Sequence, residues 1–328
     1  MAKVVTFGEA MIRLSPPGYR RLEQARSLVL WVGGAELNTA VGVARFGHEC
    51  YWISRMTDNP LGRLVANHAR EAGVRTDHML WTNEDRVGVY FLEFGATPRA
   101  SSVLYDRRDS AIARIAPGMI DWKTVFADVS WFHVTGITPA LSLSAAEATR
   151  EALQVAKACG VKTSIDLNYR AKLWSQDEAY KWMNEFMQVC DVLVTTEEDT
   201  AKVLKIKGDN YEDVAKKLAD TYPLEVVVIT LRENPLVWKN HWTAIAYRKG
   251  KIYQTRSYEV EIVDRLGAGD SCAAGLIHGL LTKDDMQYAL DFGVAASAVK
   301  HSIPGDFDWV TAEEVEKVMQ TGGLRISR

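Results

Sequence analysis

The chain has 328 residues, 47% apolar and 25% charged, with a net charge of −3. That length suits one large α/β domain or two small ones, and the balance is that of an ordinary globular chain. The near-neutral charge gives no general attraction for nucleic acid or acidic membranes, and no uncharged apolar run reaches the roughly 18 residues of a membrane span.

The N-terminus, MAKVVTFGEAMIRL, is interrupted by Gly8, Glu9 and Arg13 and lacks the apolar core of a signal peptide, so a cytoplasmic location is expected. Val4–Phe7 reads as a strand. Glu36–Phe46 reads as a helix entered through Gly33-Gly34 and stopped by Gly47, and Asn59-Pro60 opens a second helix. Cys50, Cys159, Cys190 and Cys272 stand alone, without CxxC or HExxH partners, which argues against a disulfide framework or a structural zinc site. Val87–Phe94 and Arg99–Tyr105 are β-rich runs joined by Gly95-Ala96-Thr97-Pro98, a hairpin signal.

From Val129 the pattern alternates. Strands are expected at Val129–Val134, Val161–Leu167, Val192–Thr195 and Leu224–Leu231. Helices are expected at Ser142–Cys159 and Gln176–Val189, with a helical region running to about Ala219. This alternation predicts a mostly parallel sheet with helices on both faces. The hairpin, with part of residues 11–32, then forms a small sheet over the carboxyl edge, where open α/β folds bind ligands.

The segment from Tyr258 to Gly275 carries the most chemistry. An alternating strand ends near Val263, the turn Gly267-Ala268-Gly269 follows, and apolar residues then recur at helical spacing. Strand, glycine turn and helix aim free N–H groups and the positive helix end at an anion. Asp270 opens that helix. It can serve as a cap, or it can take a proton from a hydroxyl attacking a phosphoryl group. The segment is neither a Walker A loop nor a complete GxGxxG. Gly33-Gly34 before a helix bearing Asn38 is by itself an ordinary turn or a second part of the site.

Together, GGAELNTAVGVARFG (33–47) and DRLGAGD (264–270) resemble the two signatures of the ribokinase-like, or PfkB, sugar kinases, in matching order along essentially the whole chain. The resemblance implies a single domain over 1–328 with a three-layer α/β/α architecture. Its central sheet would have eight or nine mostly parallel strands, and its β lid would come from about 11–32 and 86–115. It implies ATP beside Gly267, Ala268 and Gly269, whose amides would stabilise the transferring phosphoryl group, with Asp270 as base. Mg2+ is implied as cofactor, and a monovalent cation such as K+ is allowed.

Further stretches are similar to the branch of the family acting on 2-keto-3-deoxygluconate. These are Tyr90, the run Tyr105-Asp-Arg107-Arg-Asp-Ser110-Ala, the run Asp166-Leu-Asn168-Tyr-Arg170-Ala-Lys-Leu-Trp174, and Pro304-Gly-Asp306. That likeness implies that Gly34, Asn38, Tyr90, Tyr105, Arg107 and Arg170 surround a sugar acid. Asp306 would hold a distal hydroxyl, Asn168 and Arg170 would face the ATP phosphates, and Thr230 would belong to the nucleotide side. Arg107 and Arg170 at one cleft would also suit a carboxylate on charge grounds, although each could equally be a surface arginine.

The sequence departs from the family at three points. Leu266 replaces a threonine. Thr196-Glu-Glu-Asp199 replaces Asn-x-x-Glu, which leaves the magnesium ligands unassigned. Leu231–Trp242 carries two tryptophans and no glycine where a glycine loop is usual. A neutral-ketose kinase such as a fructokinase, or a sugar-binding protein without catalysis, remain the alternatives. Free edges on a β lid suggest a homodimer through it.

Overall fold

A computed structural model describes residues 1–236 and 238–322. β1 (Lys3–Phe7) leads through β2 (Met11–Ser15) and β3 (Val29–Gly33) into α1 (Ala35–Arg45) and β4 (Glu49–Ile53). Next come β5 (Arg55–Thr57), α2 (Pro60–Glu71), β6 (Leu80–Thr82), β7 (Val89–Glu93), β8 (Ser102–Asp106) and the short α3 (Trp122–Val125). Alternation then sets in with β9 (Trp131–Thr135), α4 (Leu143–Ala158), β10 (Lys162–Asp166), α5 (Gln176–Phe186), β11 (Val192–Thr195), α6 (Glu197–Asp199) and α7 (Tyr211–Thr221). The chain closes with β12 (Val226–Leu236), β13 (Lys239–Arg248), β14 (Lys251–Gln254), β15 (Tyr258–Glu261), α8 (Ala268–Thr282), α9 (Met286–Lys300) and α10 (Ala312–Thr321).

The main sheet has nine strands in the order β14-β13-β12-β11-β10-β9-β1-β4, with β15 also paired to β13. The strands from β12 to β4 are mutually parallel, and β13 runs antiparallel to its neighbours β12, β14 and β15. Alternate residues feed two cores. Val4, Cys50, Trp52 and Trp131 face α1, α8 and α9, while Val5, Phe7, Ile53 and Phe132 face α4, α5 and α7. Such strands are buried on both sides and accordingly read as continuous apolar runs.

The chain leaves β1 for β4 on one side and returns to β9 on the other. The crevice beyond the carboxyl ends of β1 and β9 is therefore the topological switch point. A second sheet, β3-β2-β7-β8, stands over that edge. Its hairpin runs antiparallel from Tyr90↔Tyr105 to Glu93↔Ser102.

Local signals account for the helix starts. Asn59 caps α2 by accepting N–H bonds from Leu61 and Gly62, each at 3.0 Å, with Pro60 at the first helical position. Ser142 likewise caps α4. Two expectations are corrected. The helical region before Ala219 is broken, because Lys205 takes a left-handed conformation between α6 and α7. The stretch after Thr230 is not a loop but the long antiparallel hairpin β12–β13, favoured by the Trp242-Thr-Ala-Ile245 run. Val237 at its tip lies outside the described residues.

Among the described residues no helix is long and apolar enough to cross a membrane, and Cys50, Cys159, Cys190 and Cys272 are free thiols.

Candidate active site

The two glycine segments meet because α1 and α8 cross almost in contact. A Cβ on Gly42 would lie 2.6 Å from that of Ala274, so only glycine permits the approach. At the crossing the Asn38 amide donates to the Asp270 carboxylate at 2.7 Å, and the Asn38 oxygen accepts the Gly34 N–H at 3.3 Å. Thr39 adds a bond to the Asp270 carbonyl at 3.4 Å.

Asp270 stands one turn into α8. Gly267 precedes that helix with φ of +80°, and a Cβ there would strike the Asp306 carbonyl at 2.0 Å. The left-handed, side-chain-free position is thus Gly267. Gly269 is helical, and a Cβ on it would meet nothing within 4 Å. The expected close approach at Gly269 therefore concerns whatever occupies the open space before it.

Two chambers adjoin this turn. One, about 260 Å3, is lined by Asp166, Thr196, Asp199, Thr230, Trp242 and the turn Gly267–Gly269. The other, about 110 Å3, is lined by Glu9, Gly34, Asn38, Tyr90, Tyr105, Arg107 and Asp306. Asn168, Arg170, Leu266, Gly267 and Asp270 line both. Two wider clefts, about 630 and 760 Å3, flank the small sheet, but the buried carboxylates and glycine turn gather at the smaller pair. Asn168 reaches the shared wall through a left-handed backbone, φ +39°, just beyond β10.

Burial raises the Asp270 carboxyl to about 6, against the opposing pull of the Asn38 hydrogen bond and the Arg170 charge. Asp166 is pushed up to about 8, first by burial and then by the carboxylates of Asp270 and Asp199. A carboxylate whose proton affinity lies near neutrality, set between two chambers, can take a proton from a group in either.

The small sheet contributes paired rather than open charges. Arg107 forms an ion pair with Glu9 and lies over the Tyr105 ring at 5.4 Å from its centroid. The Tyr90 hydroxyl donates to Asp306, which also binds Arg13 at 2.7 Å. Arg13 is buried and bridges Asp306 to Asp264, the latter at 2.6 Å.

Every sequence-derived site residue thus lines one chamber or both. Sequence reasoning missed Glu9, Asp166 and Arg13. Glu9 and Arg13 sit in an N-terminal stretch whose charges read as mere interruptions of an apolar run. It also missed Glu36, fully buried against Gly8, where it accepts bonds from the Thr135 and Thr138 hydroxyls, both at 2.8 Å. Among the described residues no cluster of three or more His, Cys, Asp or Glu side chains is placed to hold a metal ion.

Comparisons agree with this geometry. A family model described as pfkB family carbohydrate kinase matches residues 1–306. A 2-dehydro-3-deoxygalactonokinase of Haloferax volcanii is 39% identical, covering 100% of this chain and 99% of its own. The crystal structure of a 2-dehydro-3-deoxygluconokinase from Thermotoga maritima is 43% identical with a TM-score of 0.95, covering 97% of this chain and 98% of that one. A ribokinase-type chain from E.coli, solved with ATP and Mg2+, shares the fold at 20% identity and a TM-score of 0.85, over 98% and 99% of the two chains. From its first strand to Asp306 this chain belongs to the pfkB family of carbohydrate kinases.

Proposed function

We propose that the protein transfers the γ-phosphoryl group of ATP to the 6-hydroxyl of a 2-keto-3-deoxy sugar acid, gluconate- or galactonate-derived, with Asp270 as general base. One observation carries the reading: Asp270, its proton affinity raised, stands where the two chambers meet. The chamber bearing the glycine turn takes the ATP phosphates, and the chamber under the small sheet, which acts as a lid, takes the sugar. Asp270 accepts the hydroxyl proton as the oxygen forms its bond to the γ-phosphorus and ADP departs. The amides of Gly267–Gly269, at the positive end of α8, face the charge on the phosphoryl group. Arg170, lining both chambers, can follow the phosphoryl group across.

Mg2+ suits the glycine-turn chamber, because Asp166 and Asp199 line it and the Asp166 carboxylate is crowded by like charges that a cation would relieve. Without a protein cage of three ligands, the ion would be held through the phosphates and water. When bound it neutralises phosphate charge.

On the sugar side, Gly34 and Asn38 offer short polar contacts, Tyr90 and Tyr105 a wall, and Asp306 an acceptor for a distal hydroxyl. Arg107 is the group for the substrate carboxylate. Its pairing with Glu9 favours one second reading, a neutral ketose such as fructose. ADP release measured with 2-keto-3-deoxygluconate, 2-keto-3-deoxygalactonate and fructose tests both. Preference for a sugar acid supports the first reading, preference for fructose the second, and no ADP release with any sugar defeats the catalytic assignment. We also expect a cytoplasmic homodimer through the small sheet, whose outer face exposes Leu30 and Leu104; light scattering reports it.

A further inference from the structure

Lys300 ends α9 with its side chain entirely buried. A lysine is almost never fully buried unless its charge is met. Its ammonium donates to two backbone carbonyls, Ile303 at 3.1 Å and Gly305 at 2.9 Å. Burial lowers its proton affinity, while the carboxylates of Asp264, Asp306 and Asp308 act to raise it. Its Cε packs under the glycine turn, 3.3 Å from where a Cβ of Gly267 would sit.

That turn is stitched to the end of α9 at every level. The Ser297 hydroxyl, one turn before Lys300, donates to the Ala268 carbonyl at 2.7 Å. The His301 carbonyl accepts the N–H groups of Val263 at 2.8 Å and Asp264 at 3.1 Å. The Asp264 carboxylate accepts the N–H groups of Leu266 and Gly305, each at 3.1 Å. Lys300 lines neither chamber, so it acts on substrates only through the turn.

Converging backbone carbonyls with carboxylates nearby are the oxygen-rich surroundings that a hard cation binds. Here an ammonium tethered to the chain fills them, so a monovalent cation does not fit at this place. We infer that Lys300 is a positioning residue, a built-in cation that holds the Gly267–Gly269 turn in its anion-receiving shape in place of an ion drawn from solution. The inference rests on the reading of that turn as the phosphate cradle.

The test compares turnover at constant ionic strength in tetramethylammonium, sodium, potassium and ammonium chlorides. The wild type is expected to vary by less than about twofold across them. Lys300→Ala is expected to lose about 10²-fold in kcat, the scale of an electrostatic preorganisation defect, with a smaller change in the KM for the sugar. Ammonium, small enough to enter the vacated space, should restore about tenfold or more, whereas Lys300→Met, which fills it, should respond to no cation. Calorimetric affinity of Lys300→Ala for the ATP analogue AMPPNP should rise with ammonium in parallel. A wild type stimulated several-fold by K+ overturns the inference without needing any variant. So does a Lys300→Ala protein that is fully active without added cation, or one that no cation restores. The phosphoryl-transfer reading fails on a separate result, no ADP release by the wild type with any of the sugars in any of the salts.

Discussion

The glycine turn and the small sheet meet at one pair of chambers but are built in different ways. The turn offers backbone. Its shape follows from Gly267 at φ +80° and from the start of α8, and its single ionisable group, Asp270, is held by Asn38. The small sheet offers side chains, and each charge it brings already has an opposite charge beside it: Arg107 with Glu9, Arg13 with Asp264 and Asp306. A backbone cradle depends on few residue identities and serves any phosphate. A surface of paired side chains can be retuned one partner at a time. Under the proposed function, common chemistry would then belong to the turn, and choice of sugar to the sheet.

Four experiments press on that contrast. Asp270→Asn should cost roughly 10²-fold or more in kcat and leave KM little changed, since the amide keeps the shape but cannot accept the proton. Retention of more than about a third of wild-type turnover would make Asp270 only a cap. Arg107→Ala should lower kcat/KM for 2-keto-3-deoxygluconate by about 30-fold or more, as for a charge partner lost from a partly dry cleft. For fructose the drop should stay within about threefold. Part of that cost comes from leaving Glu9 unpaired, so Glu9→Gln in the same protein should recover some of it. Equal losses for both sugars would remove the assignment of specificity to the sheet.

The third experiment is a pH profile. Asp270 must be ionised to act, and its carboxyl titrates near 6. Activity should therefore rise with pH through that value and level off above it, with the rate at pH 5 about a tenth of that at pH 8. A flat profile between pH 5 and 8 would speak against Asp270 as the titrating base. The smallest effect is expected from Gly269→Ala. The residue is helical and a Cβ meets no neighbour, so thermal stability should match the wild type while the KM for ATP rises about threefold through crowding of the phosphates. A drop in melting temperature of several degrees would mean that the turn is more tightly packed than its geometry shows.

Much of this arrangement was legible in the sequence, for an identifiable reason. The parallel strands are buried on both faces, so runs such as Val226–Ile229 are continuously apolar and stand out. The glycine turn was legible because a left-handed residue before a helix leaves few choices other than glycine. The hairpin of the small sheet was visible in its turn residues. What could not be read were partnerships across long separations. Glu9 and Arg107 lie 98 residues apart, and Arg13 and Asp306 lie 293 apart. Nothing local marks a charge as one that will be buried and paired. Nor does anything local mark Lys300 as a lysine that will be buried. The long hairpin after Thr230 was hidden by Asn234 and Pro235, which signal a loop but sit near its tip.

The Asn38–Asp270 bond spans 232 positions of the chain. Synthesis runs from the N-terminus, so a ribosome that has made the whole small sheet and the parallel strands still carries a protein without Asp270, the proposed base. Contacts this far apart in sequence also form late, because a long loop must close before they are rewarded. A nascent chain ending before α8 therefore lacks both Asp270 and the helices α8 and α9, which with α1 cover one face of its sheet, so that catalytic competence itself reports that synthesis has passed α8.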